Sequence, residues 1–255
     1  MDTTHTVITS TWLSPPQWLD GWQVIQRGMD IQLPSVWVVH PQRLFEQLPT
    51  LAETLLSPDE NARAVRFHQP NHVLRFKAAH TVLRLLLGTI TQSDPAALRF
   101  VKGHHHKPEL ENDTSSSHAF NLSYTENCIL IGLNSGLPIG VDLEWCQRLL
   151  EPEILLEACF SPDEIAFICE DNMELAHRFF TLWTRKEAIL KLTGEGIGEH
   201  LPHFAVLDGE YNVRKQIIGG TPPDRVYLNS FSVEEEFIGC LASPTPLTEC
   251  FFYRL

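Results

Sequence analysis

The tetrapeptide Ser-Pro-Asp-Glu occurs twice, at 57–60 and 161–164, and the pattern of residues downstream of it is repeated too. Each copy reads as a helix start, with Ser as N-cap, Pro at the first helical position and Glu reaching back as the third residue of a capping box. Each is followed by an Arg-Phe pair, Arg75-Phe76 and Arg178-Phe179, inside a second helical pattern. A glycine, Gly88 or Gly194, then closes that pattern as a C-terminal cap would. The offsets between copies are 104, 103 and 106 residues. A common cap recurs by chance, but concerted offsets point to a duplicated unit. The expectation is an α+β chain of two similar lobes in a pseudo-twofold arrangement, residues 1–136 and 137–255. Their boundary falls near the turn Asn134–Pro138, and the site is expected at the lobe interface.

Alternating and β-rich runs predict strands at 118–125, 128–133 and 139–145, and later at 204–209, 226–233, 237–242 and 250–255. Apolar periodicity predicts helices at 41–55, 58–67, 71–88, 152–159, 162–170 and 172–193. Strands and helices of this mixed order fit α+β better than an alternating parallel sheet.

A hydrophobic fraction of 43% over 255 residues is enough to bury a core, and with only 20% charged residues the chain is not of the disordered type. The first residues lack a basic and an apolar segment of the secretory kind, so the expected location is the cytoplasm. The formal charge of −13 disfavours nucleic acid and anionic membranes as partners. Six cysteines without CxxC pairing or regular spacing speak against a zinc ribbon or a disulfide framework and are read as reduced core residues.

In Ile139–Trp145 the apolar residues Ile139, Val141, Leu143 and Trp145 alternate with Gly140, Asp142 and Glu144. Residues two apart on a strand share a face at roughly 6–7 Å. Asp142 and Glu144 can therefore converge on one hard divalent cation, or form the solvated acidic face of a half-buried strand. On the predicted helix 172–193, Glu187 continues a line of Phe180, Trp183 and Leu190 rather than lying among charges. It is compatible with a surface pair to Lys191 worth a few tenths of a kcal/mol. On a half-apolar face, however, a carboxylate must be paired, protonated or bound to metal. The window Arg178–Lys191 is net +3 in an acidic chain. Carboxylates for a cation beside a cationic helix are what phosphoryl chemistry requires.

Together, "IGVDLEW" (139–145) and "LWTRKEAILKLTGEGI" (182–197) closely resemble the paired signature of the 4′-phosphopantetheinyl transferases. Within that family the likeness is to the two-lobed class that resembles the surfactin-synthetase activator. "HKPEL" (106–110) and "FNLSYT" (120–125) resemble two further blocks of the same family. The resemblance implies transfer of the phosphopantetheine arm of coenzyme A to a serine of an apo acyl or peptidyl carrier protein, by a monomer. Asp142, Glu144 and Glu187 would hold Mg²⁺, with Mn²⁺ also admissible. Glu187 would be the base for the serine hydroxyl and Lys191 the acid for the leaving phosphate, with Lys186 adding charge near the phosphates. Arg63 and Arg75 would meet the 3′-phosphate, Lys107 and Pro108 would line the adenine pocket, and Ser123 would lie on the phosphate side. Arg178 and Arg185 are candidates for docking an acidic carrier.

Two positions depart from the family. Tyr124 stands where many members have a phosphate-binding histidine, leaving a phenol as hydrogen-bond donor. His106 replaces a glycine and ends a run of histidines at 104–106, read as a polar loop. A binding-only relative and a different Mg²⁺-dependent phosphotransferase are the alternatives these residues leave open.

Overall fold

The structure is a computed structural model that describes residues 4–103, 107–111, 118–147, 152–196, 200–219 and 222–255. Two five-stranded sheets form its middle. The first has the order β2 (Trp18–Asp20), β12 (Phe251–Arg254), β3 (Ser35–Val39), β7 (Cys128–Ser135), β6 (His118–Thr125). The second has the order β8 (Gly140–Trp145), β11 (Phe237–Ser243), β10 (Arg225–Val233), β1 (His5–Trp12), β9 (Gly209–Arg214). Strand alternation assigns one face of each sheet to a shared middle core: Val36, Val38 and Leu130 meet Val141, Leu143, Phe231 and Leu241. The opposite face of the first sheet, with Trp37, Val39, Ile129 and Ile131, is covered by helix α5 (Pro70–Thr91). The opposite face of the second, with Ile8, Val226, Leu228 and Ile238, lies under helix α8 (Leu175–Thr193). The fold is thus α+β, with two similar lobes back to back.

The duplicated tetrapeptides start α4 (Pro58–Ala64) and α7 (Pro162–Cys169). Both capping boxes are complete: Ser57 and Ser161 accept from the backbone of Glu60 and Glu164, whose carboxylates accept from the serine backbone. The closing glycines differ. Gly194 is the left-handed cap of α8, at φ 80°, a conformation that favours glycine. Gly88 lies inside α5, which runs on to Thr91 and is capped by Gln92. Its bare Cα lets Pro95 pack close, since a Cβ there would come within 2.6 Å of the proline ring.

The chain passes from the first sheet to the second at Asn134–Pro138, between β7 and β8, but its two ends are exchanged across the expected 136/137 boundary. β1 pairs in parallel with β10, and β12 pairs in parallel with β3. Each terminal strand thereby satisfies the edge groups of the other half's sheet. The predicted helix 41–55 is two, α2 (Pro41–Gln47) and α3 (Leu51–Leu55). Pro49 disfavours the helical region for Leu48, which sits at φ −136°. β1, β2, β3, β9 and the short pair β4 (Phe100–Lys102) and β5 (Pro108–Leu110) were not among the predicted strands, and 204–208 is not a strand. The backbone of that segment bonds buried side chains instead. All six cysteines are free, but only Cys128, Cys159 and Cys240 are buried and Cys169 is exposed, because it ends α7 on the solvent side. Among the described residues no helix is long and apolar enough to cross a membrane.

Candidate active site

β8 is an edge strand of the second sheet, and α8 lies against it. A Cβ at position 140 would collide with the backbone of Ala188 and Leu192, so Gly140 permits backbone-to-backbone contact of the two elements. With Ile139, Val141 and Leu143 turned into the middle core, Asp142 and Glu144 face the helix that carries Glu187 and Lys191. Among the described residues no strand pairs with the other side of β8. Two side chains of β6 substitute for one: Asn121 Oδ1 accepts from Val141 N at 2.9 Å, and Ser123 Oγ accepts from Leu143 N at 3.3 Å. Edge N–H groups thus find partners without closing the site beneath another strand.

Asp142 is almost fully buried, at 3% exposure. Its Oδ1 accepts from Lys191 Nζ at 2.6 Å and from Ser123 Oγ at 2.8 Å. Its Oδ2 is buried without a hydrogen-bond partner among the described residues, and so is Oε1 of Glu187. Burial, then the neighbouring Asp142 charge, push the Glu187 carboxyl up to about 7; Lys191 pulls it down and Glu144 adds to the rise. The carboxylates therefore crowd one another electrostatically, and buried carboxylate oxygens need a donor or a cation. As placed, no three His, Cys, Asp or Glu side chains among the described residues stand close enough to hold a metal. The Lys191 ammonium is seated on Asp142 instead. Hard oxygen donors with two orphaned buried atoms fit a divalent cation chemically.

Lys186 does not join this group. Adjacent residues on a helix point about 100° apart, so a site that takes residue 187 turns residue 186 away. Lys186 is completely buried, paired with Glu164 at 2.8 Å, and donates to Leu201 O and Phe204 O at 2.6 Å each. The rings of Phe160 and Phe204 flank its ammonium. Glu164 also accepts from Val206 N, and Arg185 donates to Val206 O and Asp208. These bonds take up Phe204 O and both backbone groups of Val206, which a ladder would have used. Arg185, 2% exposed, is unavailable for docking, and Arg178 is held by Glu170 and Phe167 O.

The remaining expected residues divide by position. Ser123 is engaged with Asp142 and Leu143 and so helps to orient the carboxylate. Lys107 donates to Ile139 O and Lys191 O. With Pro108 it lines a cavity of about 390 Å³ that reaches Thr193 and Gly194 at the end of α8. Arg75 stacks over the half-exposed Tyr124 ring at 5.8 Å, with its Nε buried and unpaired among the described residues. Arg63 is exposed and lies over Phe76 at 5.2 Å. His104–His106 fall outside the described residues. Asn121 was missed: its only signal is that it shares a face of β6 with Ser123, two residues on.

The profile of the 4′-phosphopantetheinyl transferase superfamily matches residues 138–240, the stretch that runs from β8 through α8 to β11. The chain is 37% identical over 166 residues to the 4′-phosphopantetheinyl transferase HetI of Nostoc sp., covering 64% of this chain and 70% of that relative. It is 26% identical over 165 residues to the 4′-phosphopantetheinyl transferase Sfp of Bacillus subtilis, covering 63% and 71%.

Proposed function

Since the chain belongs to the 4′-phosphopantetheinyl transferases, we propose that its β8–α8 site moves the phosphopantetheine arm of coenzyme A to a serine of an apo acyl or peptidyl carrier protein, releasing adenosine 3′,5′-bisphosphate. The observation that carries this reading is the meeting of Asp142, Glu144, Glu187 and Lys191 at an open sheet edge, with one oxygen each of Asp142 and Glu187 buried and unpaired. The site lies where β6 of the first lobe meets β8 of the second. The two lobes divide at 136/137 apart from the exchanged terminal strands.

Asp142, Glu144 and Glu187 would hold Mg²⁺, or Mn²⁺, which suits the same oxygen donors. A bound cation would neutralise charge on the pyrophosphate as it is attacked. The serine Oγ forms a bond to the phosphorus bearing pantetheine while the bond from that phosphorus to the oxygen of the departing 5′-phosphate breaks. Glu187, in its ionised form, takes the serine proton. Lys191, within reach of the same carboxylates, gives a proton to the leaving phosphate oxygen. Ser123 and Asn121 hold β8 and Asp142 in place. Arg75 and Tyr124 form a cationic, aromatic shelf at the outer end of β6, suited to the nucleotide's 3′-phosphate. The 390 Å³ cavity beside Lys107 and Pro108 is open to the rest of the coenzyme.

The test is the mass of apo acyl, peptidyl and aryl carrier proteins after incubation with coenzyme A and Mg²⁺. One phosphopantetheine added to a serine is expected on at least one of them. Tight coenzyme A binding with no gain on any carrier would mean a binding-only relative, and hydrolysis of unrelated phosphoesters without need of coenzyme A would mean another phosphotransferase.

A further inference from the structure

Lys107 immediately precedes β5 (Pro108–Leu110) in the first lobe, yet among the described residues its ammonium donates to backbone of the second. Nζ donates to Ile139 O at 3.2 Å and to Lys191 O at 2.7 Å. Ile139 leads directly into β8, and Lys191 is one helical turn beyond Glu187. A single side chain therefore grips both elements that carry the four site groups, beside the point where Gly140 lets them touch. Lys191 O is among the last four carbonyls of α8, which have no partner within the helix, and a cation is favoured at that end.

We propose that Lys107 is a positioning residue: by tying Ile139 O to Lys191 O it sets the register of β8 against α8, bringing Asp142 and Glu144 opposite Glu187 and Lys191. It acts through backbone and not as a contact to coenzyme A. Burial lowers its ammonium to about 8, with Glu109 opposing, so it remains a donor at neutral pH. The inference rests on the proposed reading of the site.

The two roles separate in binding measurements on Lys107→Met in the full chain. Mn²⁺ affinity is followed by electron paramagnetic resonance without coenzyme A, and adenosine 3′,5′-bisphosphate affinity is followed in chelator. A positioning role predicts Mn²⁺ binding weaker by about tenfold or more. It also predicts a kcat lower by about tenfold or more, with nucleotide affinity within about threefold of wild type. Lys107→Arg, which keeps two N–H donors, should recover Mn²⁺ affinity to within about threefold. If Lys107→Met does not fold, Lys107→Gln, with one donor, is read in its place by the same criteria. Unchanged Mn²⁺ affinity with nucleotide binding weakened about tenfold would overturn the proposal and make Lys107 a ligand contact. Wild-type protein that binds no Mn²⁺ would instead overturn the metal reading of the site, and the proposal with it.

Discussion

The two lobes share a buried unit and differ in what stands one residue away from it. In the first, the capping-box Glu60 pairs with Arg84 of α5 at 2.8 Å, and Arg84 also donates to Pro95 O and Leu98 O. In the second, Glu164 pairs with Lys186 of α8, which donates to Leu201 O and Phe204 O. In both, a carboxylate at a helix start and a cation on the following long helix secure the segment that leaves that helix. The next residue is Leu85 in one and Glu187 in the other. The strands differ in the same way. β3 and β8 both pair antiparallel with a central strand, β7 and β11, and the helix-facing positions are Trp37 and Val39 in β3 but Asp142 and Glu144 in β8. The outer edge of β3 is closed by β12, whereas at that of β8 the side chains of Asn121 and Ser123 accept from Val141 N and Leu143 N. A common scaffold thus carries carboxylates where its sheet edge is left unpaired by a strand among the described residues, which is where the proposed cation and substrate would enter. Where a strand closes the edge, burying them would cost several kcal/mol each.

The comparison is broken most severely at the strands. Asp142→Asn should lower transfer by about a thousandfold, roughly 4 kcal/mol in the barrier, because it removes the proposed cation ligand and the charged partner of Lys191. Trp37→Phe, at the matching position, should reduce stability through loss of the Ser35 hydrogen bond and some stacking on Tyr253, while activity per folded molecule is retained. Steady-state rates normalised to the folded fraction separate the two.

Lys186→Met and Arg84→Met should then both lower stability in denaturant unfolding. Lys186→Met takes the cation from buried Glu164 and should cost about 3–5 kcal/mol, and Arg84→Met should cost less, because Glu60 keeps His80 at 3.0 Å and the Ser57 N–H. For Lys186→Met the KM for coenzyme A should be unchanged, which distinguishes this role from contact with phosphate.

The smallest effect lies on the acid limb of the first lobe. Burial pushes the Glu60 carboxyl up, but His80, Ser57 N–H and Arg84 outweigh it and hold the value at about 2, below the ordinary 4.5. The unfolded chain therefore binds the proton more readily. The stabilisation is fully present above about 4.5 and is lost as pH falls towards 2. In Glu60→Gln, the stability deficit against wild type should be largest near neutrality and narrow by up to about 3 kcal/mol in acid, read from urea midpoints across pH.

Local patterns were the legible part. The alternation of 118–125 marks β6 with its observed bounds, and Ser-Pro-Asp-Glu marks both helix starts, because a capping box is satisfied within four residues. Asp142, Glu144, Glu187 and Lys191 were legible through the resemblance and through the faces they share. Three things were not. The exchange of β1 and β12 depends on pairing between opposite ends of the chain, which no local pattern carries. The inward turn of Lys186 depends on a carboxylate from another helix and on two loop carbonyls. Asn121 acquires its meaning only when β8 is seen to be the edge strand of its sheet.

The central claim is that chemistry belongs to the second lobe's helix and not to its counterpart. The most direct measurement is single-turnover transfer to a carrier serine by Glu187→Gln beside Leu85→Gln, each normalised to wild type and to folded protein. A loss of about 10²–10⁴-fold in the first and a near-wild-type rate in the second are predicted. Equal rates in the two variants would contradict the account.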